Sequence, residues 1–269
     1  MDIRRKCQRH LWLLTGTGEG YAFAKSLLEE GWGITVSVVS DRASIPYEKL
    51  NLEKILIGAL NSEEDIRRII LNARNNQTEF HCVIDLTHPF ATKITPTLAK
   101  VCKELDQKFI RFERPKNNIS NAFLIKHFSE LRNYNLKNKS ILFAVGVRHL
   151  QEALFFTKDL GPNVYARVLA NPESIKKTLA STIPKKNFAV LNPSVFRDGN
   201  IEKALIRKWN IDGVICRQSG GKNELLWHQI CKYMKIKLWL LERPFSNKNI
   251  KSIDNYEKLI KKLKYISME

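Results

Sequence analysis

The chain has 269 residues, enough for about two domains of ordinary size. Hydrophobic residues make up 43% of the sequence and charged residues 27%, a balance that is typical of globular proteins and excludes a disordered chain. The 45 Lys and Arg residues outnumber the 27 Asp and Glu residues, which gives a net charge of +18. Such a charge fits a nucleic-acid surface, a membrane surface or an acidic small ligand, but also a lysine-rich surface without a specific role.

The N-terminal segment and the cysteines indicate a cytoplasmic protein. The basic residues up to His10 are followed by a short apolar run at 11–14, which is too short for a secretory signal. No stretch approaches the ~18 apolar residues of a membrane span, so we expect no membrane partner. The five cysteines are widely spread and lack Cys-x-x-Cys spacing. We therefore expect reduced, mostly buried thiols and no metal site.

In the first half of the chain, apolar strand patterns alternate with helical patterns. We expect strands over residues 11–15, 33–40, 82–86 and 109–112, and helices over residues 21–30, 62–75 and 94–105. Ser62 opens the second helix with the capping sequence Ser-Glu-Glu-Asp. This alternation is typical of βαβ units on a parallel sheet.

The second half of the chain repeats the alternation. We expect strands over residues 141–145, 164–169, 188–191, 213–216 and 237–241, and helices over residues 150–156, 172–181, 201–209, 224–234 and 253–265. One internal echo links the halves, because KFIRFERP at 108–115 resembles KLWLLERP at 237–244. Each reads as a strand that ends in Glu-Arg-Pro, at the edge where α/β sheets bind ligands.

A glycine-rich loop follows the first strand, where residues 13–20 read LLTGTGEG. Glycines between a strand and a helix let backbone N–H groups approach a phosphate at the helix N-terminus. The dinucleotide fingerprint GxGxxG is not met, because Tyr21 occupies the third glycine position and Gly20 comes one residue early. The loop also suits a methyltransferase that binds S-adenosylmethionine, or a tight turn that binds no ligand.

Two further clusters are expected at the same sheet edge. Asp41 and Arg42 follow the second strand, where an acid accepts bonds from the ribose of NAD and an Arg favours the extra phosphate of NADP. The residues themselves leave this choice open. The polar sequence DLTHPFA at 85–91 follows a buried strand, which places His88 and its neighbours beside the glycine loop.

Together these motifs resemble the precorrin-6A reductase family of cobalamin biosynthesis, over about residues 11–245. The resemblance is carried by GTGEG at 16–20, THPFA at 87–91, FERP at 112–115, VG at 145–146, ARV at 166–168, SGG at 219–221 and ERP at 242–244. Three positions depart from the family pattern. Arg217 and Gln218 stand where members usually carry Lys and a small polar or acidic residue, and Asp41 stands where a glycine commonly precedes the Arg.

The resemblance implies an enzyme that reduces one ring double bond of precorrin-6A, or of its cobalt form, to the 6B product by hydride transfer from a reduced nicotinamide. We expect NADPH as the cofactor, with NADH possible, and a polycarboxylate tetrapyrrole as the substrate. The implied fold is α/β, with two Rossmann-like domains on parallel sheets and the substrate in a cleft between them. Residues 1–115 would form the dinucleotide-binding domain, 116–139 a linker region and 140–269 the substrate domain, in a monomer or weak homo-oligomer.

The resemblance also implies a role for individual residues. The cofactor-binding residues would be Gly16, Thr17, Gly18 and Glu19 at the pyrophosphate, Ser40 and Arg42 at the 2′-phosphate, and Thr87 and Phe90 near the nicotinamide. The substrate-binding residues would be Arg114, Arg167, Arg217, Ser219, Gly220 and Arg243. His88 is the candidate proton donor, since its ordinary pKa suits that task, although solvent or a ring nitrogen could serve instead.

Two other classes of protein remain open from the sequence. A methyltransferase would bind S-adenosylmethionine at the glycine loop instead of a nicotinamide. A non-enzymatic nucleic-acid-binding protein would interleave basic and exposed aromatic residues on one face. Because the lysine runs here are scattered and most aromatic residues fall at core positions, we expect no nucleic-acid partner.

Overall fold

The computed structural model describes residues 9–16, 18–117, 121–191, 198–244 and 250–266. Its strands are β1 (His10–Thr15), β2 (Gly33–Val38), β3 (Lys54–Ile57), β4 (Cys82–Leu86), β5 (Phe109–Phe112), β6 (Phe123–Ile125), β7 (Ser140–Ala144), β8 (Asn163–Leu169), β9 (Phe188–Leu191), β10 (Gly213–Arg217), β11 (Lys237–Leu241) and β12 (Ser252–Ile253). Its α-helices are α1 (Gly20–Glu29), α2 (Asp41–Ser44), α3 (Glu63–Asn75), α4 (Ile94–Glu104), α5 (Val147–Thr157), α6 (Pro172–Leu179), α7 (Asn200–Lys208), α8 (Lys222–Met234) and α9 (Tyr256–Ile266). Short 3₁₀ helices connect several of these elements.

The strands form two parallel six-stranded sheets. The first has the order β12-β5-β4-β1-β2-β3 and the second the order β6-β11-β10-β7-β8-β9. In both sheets the strand order reverses beside the first strand of the repeat, between β1 and β4 and between β7 and β10. Open α/β sheets bind their ligands at the carboxyl ends of the strands next to such a reversal. The expected fold class, two Rossmann-like units with parallel sheets, is confirmed.

The chain divides into two compact units, residues 1–115 with 244–269 and residues 116–243. Two of the expected boundaries are therefore wrong. Residues 116–139 are not a linker, because β6 lies within them and pairs with β11, with Phe123 opposite Trp239. Residues from 244 onward do not belong to the second unit, because β12 pairs with β5 of the first sheet.

Apolar side chains cover both faces of the first sheet. Successive residues of a strand point to opposite faces, and β1 follows this rule. Leu11 and Leu13 join the core on the face that is covered by α1 and α9, and Trp12 and Leu14 join the core beneath α3 and α4. Strands that are buried on both faces read as nearly continuous apolar runs, which is why the central strands are evident in the sequence.

Two local expectations about Ser62 and the cysteines can be compared with the structure. The Ser62 side chain accepts a hydrogen bond from the Asp65 N–H at 3.1 Å, and the Asp65 carboxylate accepts one from the Ser62 N–H at 3.2 Å, which completes the predicted capping box. The cysteines of the described ranges are free and buried, and burial raises the pKa of Cys102 and Cys231 to about 12. Such thiols are unreactive at neutral pH.

The described residues offer neither a metal cluster nor a membrane span. They place no group of three or more His, Cys, Asp or Glu side chains where it could hold a metal ion. None of their helices is both long and apolar enough to cross a membrane.

We predict that Leu263→Ala destabilises the first unit. Leu263 of α9 is fully buried in the core that contains Phe23 and Phe112. Loss of its side chain leaves a cavity and costs about 2–5 kcal/mol in the free energy of unfolding, measured by urea titration. The exposed neighbour Lys261 provides a control, because Lys261→Ala changes this free energy by no more than about 0.5 kcal/mol. Equal stabilities of the two variants would contradict the placement of α9 in this core.

Candidate active site

Three sequence motifs meet at the carboxyl edge of the first sheet. The loops that follow β1, β4 and β5 surround a crevice beside the reversal of strand order. Its lining residues are Glu19, Phe23, Leu86, Thr87, Pro89, Phe112, Glu113 and Arg114. The glycine loop, the THPFA segment and the first ERP segment, which lie far apart in the sequence, thus form one site.

The glycine loop packs closely against the THPFA segment. A Cβ atom placed on Gly16 would lie 3.6 Å from both the Cα of Thr87 and the N of His88. Helix α1 begins at Gly20 without a side-chain cap, and the first N–H groups of a helix have no acceptor within it. Together with the positive end of the helix dipole, these groups favour an anion such as a phosphate. Thr17 lies outside the described residues.

Gly20 explains why the loop departs from the dinucleotide fingerprint. A Cβ atom at this position would lie 2.5 Å from the Tyr47 hydroxyl and 2.7 Å from the Cβ of Thr15. Tyr47 is buried and hydrogen-bonded to Thr15, and burial raises the pKa of its hydroxyl. Close packing of the helix against the first strand therefore requires a glycine at position 20. At Gly18, by contrast, a Cβ atom would meet nothing within 4 Å.

Glu19 and Arg114 form an ion pair across the crevice. The Arg114 Nε lies 3.3 Å from a Glu19 carboxylate oxygen, and the Arg114 side chain is mostly buried. A carboxylate repels a phosphate, so in this part of the loop only the backbone N–H groups suit an anion. The pair also ties the glycine loop to the segment that follows β5.

The THPFA segment forms a tight turn that orients His88. The Ala91 N–H donates to the His88 carbonyl at 2.7 Å, and Pro89 occupies the second position of the turn, where its fixed φ is favourable. The Phe90 N–H donates to Nδ1 of His88 at 3.1 Å. Because Nδ1 is the acceptor, the neutral imidazole carries its proton on Nε2. The His88 and Phe90 rings lie 5.7 Å apart.

A buried ion pair lies beneath this turn. Asp85, at the carboxyl end of β4, is fully buried, and Arg111 of β5 is 4% exposed. Arg111 Nη1 lies 2.8 Å from Oδ1 of Asp85 and 3.1 Å from the Thr87 hydroxyl oxygen. The Thr87 N–H donates to the same Oδ1 at 2.9 Å, and the Thr95 hydroxyl donates to Oδ2 at 2.6 Å. The carboxylate is therefore neutralised and hydrogen-bonded on both oxygens.

The sequence analysis assigned no role to Arg111 or Thr95. A signal for Arg111 was present, because an arginine between two apolar residues of a buried strand needs a buried partner. Asp85 is likewise a charged residue in a buried strand, CVIDL, and its negative charge also needs a buried partner.

Ser40 and Arg42 lie at the carboxyl end of β2, next to β1 in the sheet. Both residues are exposed, and Ser40 precedes the short helix α2. The register pairs Leu14 with Ser37, so the end of β2 lies beside the start of the glycine loop. This placement is the one that ribose or 2′-phosphate recognition requires.

In the second unit, the predicted residues follow the central strands at the carboxyl edge. Arg217 ends β10, Ser219 and Gly220 follow it, and Arg243 follows β11. The Arg243 N–H donates to Oε1 of Gln218 at 3.3 Å, and its Nε donates to the Gln218 carbonyl at 3.4 Å. The second ERP arginine thus holds the residue next to the SGG segment.

A buried carboxylate fixes the SGG segment itself. Gly220 adopts a left-handed φ of +70°, and its N–H donates to Glu224 of α8 at 2.6 Å. Burial raises the pKa of Glu224, but the neighbouring His228 and the bonds from Gly220 and Asn117 outweigh burial and lower it. The sequence analysis assigned no role to Glu224.

Arg167 of β8 already has a partner within the second unit. Its Nη2 lies 3.2 Å from a carboxylate oxygen of Glu202 on α7, and both side chains are largely buried. Burial lowers the pKa of Arg167 although the carboxylate opposes this change. The remaining guanidinium donors are the part of Arg167 that could meet a ligand.

Three basic residues gather at the N-terminus of α5. Burial lowers the pKa of Arg217 to about 10, and nearby Arg148 acts in the same direction. Burial, with Arg217 and Arg148, lowers the pKa of His149 to about 4. A Cβ atom on Gly146 would lie 3.6 Å from Nη2 of Arg217. Basic groups at a helix N-terminus favour an anion, and the sequence analysis had found only Arg217 among them.

Comparison with known proteins gives the family. The model of the precorrin-6x reductase CbiJ/CobK family matches residues 10–264. The chain belongs to this family. A cobalt-precorrin-6A reductase of Synechocystis is 27% identical over 240 residues, which is 87% of this chain and 88% of the relative. One from Methanococcus maripaludis is 25% identical over 264 residues, 96% of this chain and 98% of the relative.

Further matches agree with this family. A precorrin-6A reductase of Mycobacterium tuberculosis is 26% identical over 246 residues, 90% of this chain and 92% of the relative. The solved structure of CobK precorrin-6A reductase has a TM-score of 0.75, covers 96% of this chain and 97% of that chain, and shares 18% identity, which shows a common fold. The chain is thus an oxidoreductase of cobalamin biosynthesis that acts on a CH–CH group, a precorrin-6A reductase. These matches do not support the methyltransferase or nucleic-acid-binding alternatives.

We predict different outcomes for two alanine substitutions in the glycine loop. Gly20→Ala forces a Cβ atom into Tyr47 and Thr15 and costs about 1–3 kcal/mol in the free energy of unfolding. Gly18→Ala meets no neighbour and leaves that free energy within about 0.5 kcal/mol of the wild-type value. Urea titration of both variants provides the measurement. A Gly18→Ala variant that is the less stable of the two would contradict this account of the loop.

We also predict that His149 makes stability depend on pH. Its pKa is about 4 in the folded state against 6.5 as the ordinary value, so the unfolded chain binds a proton first as the pH falls. The stability is complete above about pH 6.5 and decreases by up to about 3 kcal/mol as the pH falls towards 4. His149→Gln flattens this part of the curve of unfolding free energy against pH. The control, His127→Gln at an exposed site, retains the wild-type slope.

Proposed function

We propose that the chain transfers a hydride from NADPH, with NADH as the second choice, to one ring double bond of precorrin-6A or its cobalt form, giving the 6B product. The observation that carries the proposal is the convergence of the glycine loop, the THPFA turn and the first ERP segment beside the strand reversal. Different residues serve the cofactor, the substrate and the proton.

The first unit fits a dinucleotide. Gly16, Gly18 and the N–H groups at the start of α1 suit a pyrophosphate, with Glu19 contributing through its backbone and Thr17 retained from the sequence motif. Ser40 and Arg42 suit a 2′-phosphate, which favours NADPH over NADH. Thr87 and Phe90 would contact the nicotinamide. When bound, this cofactor supplies the hydride, and the protein contributes position and electrostatics.

The second unit supplies groups for the substrate carboxylates. Arginine suits them because its planar fork binds a carboxylate through two parallel hydrogen bonds. Arg217 is the strongest candidate, because burial, with a smaller contribution from Arg148, lowers its pKa, and a bound anion would offset both effects. Arg167, and Arg114 of the first unit, are each paired with a carboxylate, so they would serve through their remaining donors. Ser219, Gly220 and Arg243 would contribute from the SGG and second ERP segments.

The structure constrains how His88 could act as a proton donor. Its Nδ1 accepts the bond from Phe90, so protonation of the ring to imidazolium breaks this bond. In the neutral ring, Nε2–H is a hydrogen-bond donor and a very weak acid. As a neutral ring, His88 therefore suits orientation of a reacting group, and its role as proton donor stays a prediction. The cytoplasmic location and the monomeric or weakly oligomeric state also stay predictions.

The test is turnover with purified protein. Precorrin-6A and its cobalt form are each mixed with NADPH or NADH, and the macrocycle spectrum and nicotinamide absorbance are recorded together. We expect both signals to change in equal amounts, with higher kcat/KM for NADPH. Absence of any change with both substrates and both cofactors would overturn the proposal.

The Arg217→Ala variant tests the substrate site separately from the cofactor site. We expect KM for the tetrapyrrole to rise about tenfold or more, because a charge-assisted hydrogen bond is lost. The dissociation constant of NADPH, measured without substrate, stays within about twofold of the wild-type value. An unchanged KM would remove Arg217 from the substrate site.

A further inference from the structure

The Thr87 hydroxyl oxygen accepts a hydrogen bond from a cationic side chain. The donor is Arg111 Nη1 at 3.1 Å, and arginine has donors only. The hydroxyl proton is therefore free to be donated elsewhere. Within the described ranges, no residue accepts a hydrogen bond from this hydroxyl. Thr87 is partly exposed and lines the crevice, so the space available to its proton includes the candidate cofactor site.

Asp85 holds the two partners in this arrangement. Its Oδ1 binds both the Arg111 guanidinium and the Thr87 backbone N–H, so the residue and the group that polarises it are anchored to one oxygen. The other oxygen binds Thr95. The carboxylate is fully buried, and both of its oxygens accept hydrogen bonds. If the guanidinium moved away, the Asp85 charge would remain buried without a partner, which is costly. Asp85 and Arg111, which lie beneath the turn, thus fix the Thr87 hydroxyl oxygen as an acceptor and leave its proton to be donated into the crevice.

We propose that Arg111 and Asp85 are positioning residues that keep the Thr87 hydroxyl as a hydrogen-bond donor into the crevice, where it binds the carboxamide oxygen of the nicotinamide. The inference rests on the proposed function and deepens it. A carbonyl oxygen fits because it can only accept, and the hydroxyl proton of Thr87 is a donor that no described residue accepts. This bond fixes the rotation of the carboxamide and, through it, the plane of the ring.

The test measures cofactor binding without substrate. The full chain is titrated with NADPH and with its thionicotinamide analogue, in which a weakly accepting sulfur replaces the carboxamide oxygen. We expect the wild-type chain to prefer NADPH about three- to tenfold, the size of one net hydrogen bond. Thr87→Val loses this preference and weakens NADPH binding by the same factor, whereas Thr87→Ser retains both. Thr97→Val is the matched control, because the Thr97 hydroxyl donates to Lys93 in its own exposed helix turn.

A double-mutant cycle tests the role of Arg111. Arg111→Lys keeps a charge near Asp85, but its side chain ends one atom short of Nη1, the nitrogen that contacts both Asp85 and the Thr87 hydroxyl. If Arg111 acts through the hydroxyl, Thr87→Val adds little further loss of NADPH affinity in the Arg111→Lys background. Fully additive losses would overturn the positioning role. If Arg111→Lys does not fold, the comparison of Thr87→Val, Thr87→Ser and the two cofactors still decides the direction of the bond.

The outcomes separate this inference from the proposed function. A wild-type chain that binds neither NADPH nor NADH overturns both. A wild-type chain that binds NADPH, with Thr87→Val binding it equally well, overturns the inference and leaves the proposed function intact. An equal affinity of the wild-type chain for NADPH and the thio analogue also overturns the inference.

Discussion

The buried pair of Asp85 and Arg111 is the constraint on which the first unit's site depends. Taking two charges out of water costs several kcal/mol per ion unless their hydrogen-bonding groups are satisfied. Here the carboxylate is bonded to Arg111, the Thr87 N–H and the Thr95 hydroxyl, so β4, β5, α4 and the THPFA turn converge on one group. Removal of one partner would leave a buried charge, at a cost of about 3–5 kcal/mol. The position of the turn is therefore coupled to the stability of the sheet.

The net charge of +18 is distributed unevenly among these features. At the first site the arginines are matched by acids, in the pairs Asp85–Arg111 and Glu19–Arg114. Around Arg217, burial lowers the pKa values of Arg217 and His149, and the basic neighbour Arg148 acts in the same direction on both. Lysines of α9 lie at the surface, where Lys258 and Lys264 form ion pairs with carboxylates. Such exposed ion pairs contribute little to stability. A few arginines thus account for the positive charge near the candidate sites, and the lysines of α9 contribute charge to the solvated surface.

Much of the fold could be predicted from the sequence because its central strands are buried on both faces. The predicted bounds of β4, β5, β9 and β11 match the structure because apolar residues dominate each segment, even though Asp85 and Arg111 interrupt β4 and β5 and β9 lies at a sheet edge. β3, β6 and β12 were missed because they are short edge strands, defined by distant pairing partners more than by their own residues. For the same reason, the assignment of α9 to the first unit could not be read locally. At the site, the motifs revealed the loops, but the pairing of Arg111 with Asp85 required the register between β4 and β5.

The two Glu-Arg-Pro segments mark the points where the chain passes from one unit to the other, after Pro115 and again at Pro244. The first unit consequently needs the last part of the chain for its sixth strand and for α9. During synthesis, the unit that begins first is therefore completed last, after every strand of the second sheet has been made. A chain that is interrupted before β12 would leave the edge of β5 unpaired and the apolar face beneath α9 uncovered, so the first unit is not complete until its last two elements have been made.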